Sequence, residues 1–463
     1  MSTHDYGTKD NDFRSASEKW DLVDSLMGGT DSMRNAGTNY LPKYSLEDDE
    51  LYAMRLKTST LFNAYKKAVE TNVGKITSRQ IQVEGGSQYV TDFISNVDST
   101  GRNLNEFSKD VLRSSINHGI SYILVDFPRD TTNITLENIK DVKPHFVDIS
   151  AQQVMSIRSQ RTRGSEELIY FKFSLSSVPA FDNWDTATDE TVDQIREFAK
   201  QDGQILFRVK EKQTNGWVTV EEGTMSGLDF IPVVPVYGNR TAFMMGEPLL
   251  NDLAELNIRH WQSASDQQWV LHFARSPILF LQGIDDRDEN GNKVQINVGP
   301  NSVVATDRTD ADMKYVEHGG AAIDSGRQDL QDIEDQMAVM GLDISVDRTG
   351  NMTATGRAID AASADSILKS VALQLEDSLT AALLIVEMFY GSTTPFTIDV
   401  NKEYIPVFDQ KEMGDVWEMY RQGFITAGDV LKEAKRRNLI TPQFIIEEEL
   451  RNKKVSNNNI TEE

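Results

Sequence analysis

Apolar positions along this 463-residue chain recur with two different periods, and the change of period divides it. Ser15-Ala16-Ser17-Glu18 has the form of a capping box, and Gly28-Gly29 would stop the short helix that follows. After the extended link Tyr40-Leu41-Pro42, the residues Met54, Leu61, Tyr65, Val69 and Val73 return at helical spacing. That spacing predicts one long helix from about Leu46 to Val73, with Ser45 as cap and Gly74 as stop. Two more helices are predicted near 90–97 and 104–117. A β-rich stretch then opens with the apolar run Ile120–Phe127, which ends at Pro128. Strands are predicted at 145–149, 168–175, 205–210 and 217–221, with the acidic, turn-rich segment 176–203 between them. The prolines of Ile231-Pro232-Val233-Val234-Pro235-Val236-Tyr237 exclude that extended run from the centre of a sheet.

From Glu247 the period becomes helical again. A helix over 247–275 would span about 42 Å. Leu249, Leu253, Leu256, Ala264, Leu271 and Ala274 form one stripe on it, while Ile258, Trp269 and Phe273 fall on a largely different face. A helix apolar on two faces needs neighbours on both sides. Two strands, Pro277–Leu281 and Val294–Val298, follow around the polar loop 285–293, with further extended stretches at 302–305 and 314–317. On a second helix, Ala321–Leu342, the residues Ile323, Leu330, Ile333, Met337 and Met340 share an arc opposite Asp324, Gln328, Asp332 and Asp335. A Gly/Thr/Asp loop leads to a third helix, Arg357–Tyr390. A strand at 395–400, helices at 409–422 and 427–437 and a polar tail complete an α+β pattern without internal repeat.

Composition narrows the function classes. The chain has 39% apolar and 26% charged residues, so a folded globular chain is expected. No apolar run reaches the length of a membrane helix, and the polar N-terminus is not a secretory signal. Cysteine is absent, which removes disulfides and thiolate chemistry, and the six His residues show no metal-like spacing. Net charge is −25, from 47 basic and 72 acidic residues. Tight DNA binding needs clustered Lys and Arg, so the balance fits either plain solubility or a surface past which a polyanion slides.

The candidate motifs are few. Asp286-Arg287-Asp288-Glu289-Asn290-Gly291 imitates the start of a calcium loop, but its twelfth position is Asn297 and its flanks read as strands. Asn290-Gly291 also reads as a hairpin turn. The loop Gly350–Gly356 lacks the lysine of a phosphate-binding loop, which leaves a connector or a loop touching DNA by shape. No nucleophile has an evident partner, and no acid–base pair stands out. From Ala321 to Gly350 there are seven acids and two arginines. Such a run is usually a solvated helix face, yet here it lies opposite an apolar seam.

The order of these elements resembles the portal proteins of tailed bacteriophages. The matching landmarks are Tyr40-Leu41-Pro42, His118-Gly119-Ile120 before Leu124-Val125-Asp126, Ile231-Pro232-Val233-Val234-Pro235, the helix 247–275, the acidic helix 321–342, and Gly423-Phe424-Ile425-Thr426. The resemblance implies a homo-oligomeric ring of roughly twelve copies at one capsid vertex, which conducts double-stranded DNA during packaging and ejection. It implies no enzyme activity of its own, no cofactor, no membrane, and a place in the virion after assembly in the host cytoplasm. The fold would comprise an N-terminal arm (1–45), a β-rich wing (46–246 with a return strand in 393–408), a two-helix stem (247–275 and 320–342) and a small β clip (276–319). A tunnel loop (343–356), a long kinked helix (357–392) and a helical crown with tail (409–463) would follow. Facing the DNA would be Asp324, Asp332, Asp335, Asp343, Asp347, Arg348, Asn351 and Thr353. The clip loop Asp285, Asp286, Arg287, Asp288, Glu289 and Asn290 would dock a terminase packaging motor and later a head–tail adaptor, and the major capsid protein would surround the ring. A different head–tail connector ring and an enzyme with scattered acidic residues are the alternatives.

Overall fold

The computed structural model describes residues 6–127, 143–162, 164–177, 191–225, 227–275, 278–282, 311–316, 320–341, 354–404 and 410–436. Among the described residues 49% are helical and 27% lie in strands, a mixed α+β pattern. It forms two compact units, Met1–Lys402 and Glu403–Glu463.

The first unit begins with α1 (Asn11–Ala36), which continues through the Gly28-Gly29 pair with a kink at Gly29 (φ 80°, ψ −159°). The expectation that the glycine pair ends the helix is thus corrected: it bends the helix. The expected single helix 46–73 is instead two: α2 (Asp49–Thr58) and α3 (Ala64–Ile76). Asp48 caps α2 by accepting from the Leu51 amide, and Asn63 caps α3 by accepting from the Lys66 amide. Between them Ser59 turns extended, and its hydroxyl donates to the Arg55 carbonyl. Helical spacing ran across the break because Leu61, within it, and Tyr65, just after it, are both buried, although Met54 on α2 is half exposed.

Next come β1 (Gln82–Gly85), α4 (Gln88–Phe93), α5 (Leu104–His118), β2 (Ile120–Asp126) and β3 (His145–Ser150). Five strands form one antiparallel meander: β4 (Val154–Thr162), β5 (Ser165–Ser177), β6 (Val192–Gln201), β7 (Gln204–Gln213) and β8 (Gly216–Met225). β6 lies in the segment read from sequence as turns; its buried Ile195 and Phe198 are three residues apart, so no two-residue alternation marked the strand among its charged neighbours. β9 (Val233–Tyr237) pairs with β2 at the edge of the sheet β3-β2-β9, where Pro235 is tolerated. A short pair, β10 (Arg240–Ala242) and β11 (Met245–Gly246), leads to α6 (Asn251–Ala274). β12 (Ile278–Gln282) pairs antiparallel with β13 (Asp312–Val316). The expected partner strand 294–298 lies outside the described residues. Then follow α7 (Gly320–Met340), α8 (Ala354–Phe389) and β14 (Phe396–Asp399), which returns to pair with β1.

The two larger sheets pack face to face. Tyr122 and Leu124 from β2 meet Phe171, Phe173, Phe198 and Ile205 from the meander, with Phe13 and Trp20 of α1 at the side. The other face of β2 and β9 is covered by α5 and α8. Gly119 joins α5 to β2 in a left-handed conformation (φ 84°), where an added Cβ would meet the Glu247 carbonyl oxygen at 2.0 Å. Gly238 presses as closely on Ser115, whose carbonyl oxygen would lie 2.1 Å from a Cβ. These approaches bring β9 and the entry to α6 against the end of α5, and so fix where α6 starts. α8 is held by Ser378, which donates to the Pro235 carbonyl, and by Glu387, which accepts from the Ser87 amide at the start of α4. In the second unit, α9 (Gln410–Arg421) and α10 (Ala427–Arg436) pack together, with Val430 and Ala434 buried.

Candidate functional site: the α6 and α7 rods

α6 and α7 are rods of about 36 and 32 Å, from 24 and 21 residues. They run antiparallel. Arg259 pairs with Asp329 at 3.0 Å, His260 Nε2 lies 3.2 Å from Glu334, and Gln267 donates to the Ile323 carbonyl at 2.9 Å. Gly326 allows this last contact, since a Cβ there would sit 2.0 Å from the Gln267 side-chain oxygen.

Sequence reasoning required partners on both apolar faces of α6. Part of that demand is met within the chain. Leu253, Ala254 and Trp261 are buried, and α6 packs on α1, α2 and α3 as well as α7. Asn257 accepts from the Tyr65 amide and donates to the Phe62 carbonyl, which clamps the start of α3. Ser59 and Ser265 share a buried hydrogen bond between α2 and α6. Asn72 of α3 donates to the Gly341 carbonyl just after α7.

Beside this clamp lies a charged knot that the sequence did not announce. Arg55 is 2% exposed, donates to both carboxyl oxygens of Glu47, and lies 4.5 Å from the Tyr44 ring centre and 5.5 Å from that of Tyr52. Hydrogen bonds from Arg55 hold the Glu47 carboxyl below its usual range. Burial, together with the hydrogen bond to Asp266 of α6, pushes the Tyr44 phenol up to about 12. The only hint in sequence was the polar cluster Tyr44–Asp48, which reads as an ordinary helix start.

Of the eight residues expected to face DNA, Asp324, Asp332 and Asp335 are described, and all three are exposed on α7. Gln328 donates to Asp332 at 2.7 Å and Gln331 to Asp335 at 3.3 Å, each one turn along the same surface. Ile333 and Met337 are buried on the side opposite Asp324 and Asp335, while Asp332 lies about 100° from Ile333. Asp343, Asp347, Arg348, Asn351 and Thr353 lie outside the described residues, as do Asp285, Asp286, Arg287, Asp288, Glu289 and Asn290. Among the described residues no group of three or more His, Asp or Glu could hold a metal ion, and no helix is long and apolar enough to cross a membrane.

Apolar surface nevertheless remains on the rods. A groove of about 500 Å³ lies between α6 and α7, with Leu256, Val339 and Met340 in it and Asp252, Glu255, Arg259 and Gln336 around it. Val339 and Met340 are each 45% exposed. A second hollow of about 430 Å³ lies between α2 and α6, lined by Met54, Ala264, Trp269, Leu271, His272 and Arg275 among others. At 100° per residue, 252, 255, 256 and 259 lie on one side of α6, and 264, 268, 271 and 275 lie about 140° away.

Residues 248–390, from just before α6 to the end of α8, match the family described as Domain of unknown function (DUF4055). No curated protein matches. Among solved structures the chain is similar to one from the neck of an empty GTA particle computed with C6 symmetry, at 10% identity and a TM-score of 0.42, covering 81% of this chain and 89% of the other. It is also similar to one from the neck of a native GTA particle computed with C12 symmetry, at 12% identity and a TM-score of 0.42, covering 80% and 88% respectively.

Proposed function

We propose that the chain is one subunit of a portal ring at a capsid vertex, through which double-stranded DNA is packaged and later ejected. The observation that carries this reading is the division of α7 into a packed side and an exposed acidic side, on a rod whose apolar surface the described residues only partly cover. Asp324 and Asp335 lie on the side opposite the buried Ile333 and Met337, with Asp332 at the border of that side. Around an axis, that arc would line a passage with acidic groups. Each phosphate passing at about 4 Å would meet a repulsion on the order of 1 kcal/mol in water. Beyond about 10 Å, salt at 0.1 M screens it. The wall therefore prevents adhesion without setting up a barrier to the polymer.

In this reading 46–246 and 393–408 are the wing, α6 and α7 the stem, 276–319 the clip that docks the packaging motor and the adaptor through 285–290, 343–356 the tunnel loop and 409–463 the crown. The test is direct. Native mass spectrometry and negative-stain images of the purified chain are expected to show a closed ring with a central hole wide enough for a duplex. A folded chain that stays monomeric at tens of micromolar overturns the proposal.

A further inference from the structure

We infer that the kink in α1 and the break between α2 and α3 are one interlocked joint, through which the α6 rod and the first half of α1 set each other's position. The joint lies within one copy and does not depend on a ring. Residues 59–63 leave the helical path, so backbone groups around them lose the partners four residues away that a continuous helix would supply. Side chains of the two flanking helices take those groups up. From α1, Arg34 donates to the Ser59 carbonyl at 3.1 and 2.8 Å, and the Thr30 hydroxyl accepts from the Leu61 amide at 3.3 Å. From α6, Asn257 donates to the Phe62 carbonyl at 2.8 Å and accepts from the Tyr65 amide at 2.9 Å. Ser265, also of α6, shares a 2.9 Å bond with the Ser59 hydroxyl.

The lacing is mutual. Asn63 Nδ2 donates to the Leu26 carbonyl at 2.7 Å. In a straight helix that carbonyl belongs to the Thr30 amide, and Gly29 between them has φ 80° and ψ −159°, a region open in practice to glycine alone. Leu26, Thr30 and Arg34 follow at four-residue steps across the kink, as do Asn257, the buried Trp261 and Ser265 along α6. The break is therefore held between one side of α1 and one side of α6. The first half of α1 is in turn fixed on the sheets. Phe13 and Trp20 are buried in the core there, and Trp20 donates to the His118 carbonyl at 3.0 Å. A shift of the α6 rod reaches the sheet layers through 59–63 as a change in the bend of α1.

Three variants separate this joint from local packing. Gly29→Ala places a Cβ 4.0 Å from Asn63 Nδ2 with nothing nearer, so it attacks the bend alone. Gly203→Ala, in the turn between β6 and β7, carries a similar left-handed penalty (φ 77°, no neighbour within 4 Å) and is the control. Asn63→Ser keeps a capping residue for α3 but is too short to hold the Leu26 carbonyl. Hydrogen exchange of the full chain is the readout. Gly29→Ala and Asn63→Ser are each expected to speed exchange of the amides of 59–65 and 257–265 by about tenfold or more, with β5 and β7 as protected as in the wild type. Gly203→Ala is expected to leave 59–65 and 257–265 at the wild-type rate. In urea unfolding, Arg34→Met and Asn257→Ala touch no common group, yet their effects on the unfolding constant are expected to depart from a simple product by about threefold or more. Faster exchange that stops short of 257–265 overturns the joint, and so does an additive pair. Equal acceleration of 59–65 by Gly203→Ala overturns it as well, by showing a general loss of stability. If Gly29→Ala does not fold, Asn63→Ser and the paired variants decide alone.

Discussion

Replacing Asp148 with asparagine should make this chain more resistant to unfolding as the pH rises. Asp148 sits on β3, and its Oδ1 is shut off from solvent without a hydrogen bond among the described residues. Burial and, secondarily, the charge of Asp110 push its carboxyl up to about 6 from the ordinary 3.8, against smaller opposing effects of Arg102 and His118. A carboxyl raised in the folded state is destabilising when ionised. The penalty is absent below pH 3.8, grows as pH rises to about 6, and is complete above that. The interval corresponds to roughly 3 kcal/mol at about 1.4 kcal/mol per tenfold change in proton affinity. Asparagine removes the pH-dependent part and adds a constant cost of about 1–3 kcal/mol if its amide finds no acceptor. The informative quantity is therefore the change with pH of the difference between variant and wild type. Denaturant midpoints of both proteins, at one protein concentration and from pH 4 to 7.5, supply it. The other titrations of a chain with net charge −25 are common to both proteins and cancel in the difference. A difference that grows by roughly 2–3 kcal/mol in favour of Asp148→Asn between pH 4 and 7 is expected. A flat difference would refute the idea that this carboxyl is held dry.

Gly238→Ala should lower stability by about 3 kcal/mol or more, because its Cβ would fall 2.1 Å from the Ser115 carbonyl oxygen, and backbone cannot step aside; a urea midpoint measures it. Arg55→Ala should cost roughly 3–5 kcal/mol by leaving Glu47 buried without its partner, and limited proteolysis should then open the segment 42–58 first. Arg55→Lys should recover less than half of that loss, since one ammonium cannot satisfy both Glu47 oxygens as the guanidinium does. Replacing Asp324 and Asp335 together by Lys should leave the melting temperature within about 1–2 °C of wild type, since both sites are exposed. The same change should make purified rings retain duplex DNA at low salt and release it by about 0.3 M, as a filter-binding titration would show.

Much of the architecture was legible because it rests on period. The rods over 251–274 and 320–340 came from apolar spacing and β2 from a largely apolar run, and the long helix over 354–389 was expected from 357 to 390. What failed did so for local reasons. A helical repeat cannot report that Ser59 and Asn63 interrupt it when Met54, Leu61 and Tyr65 keep helical spacing although only the last two are buried. Gly28-Gly29 looks the same whether the pair ends a helix or bends it. β6 was hidden because its buried Ile195 and Phe198 show no two-residue alternation, and it lies in an otherwise acidic, turn-rich segment. The acidic arc of α7 was readable from spacing alone, but the Arg55–Glu47 knot was not. It joins α2 to the segment before it and to Asp266, more than 200 residues away, and no local pattern marks such a contact.

The partition of α7 also bounds how its acidic side can be used. Measured from the buried Ile333 at about 100° per residue, Met340 and Gln336 lie at about 340° and 300°, Val339 and Asp332 at about 240–260°, and Asp335 and Asp324 at about 180–200°. The groove arc therefore lies between the packed side and the acidic side, and Asp332 stands on its border. A neighbour seated over Val339 and Met340 would cover the Asp332 flank while leaving Asp324 and Asp335 in water. The two surfaces are then not rivals for one face. In a ring of the proposed kind, burial of the apolar arc would leave Asp324 and Asp335 as the acids that could face the axis.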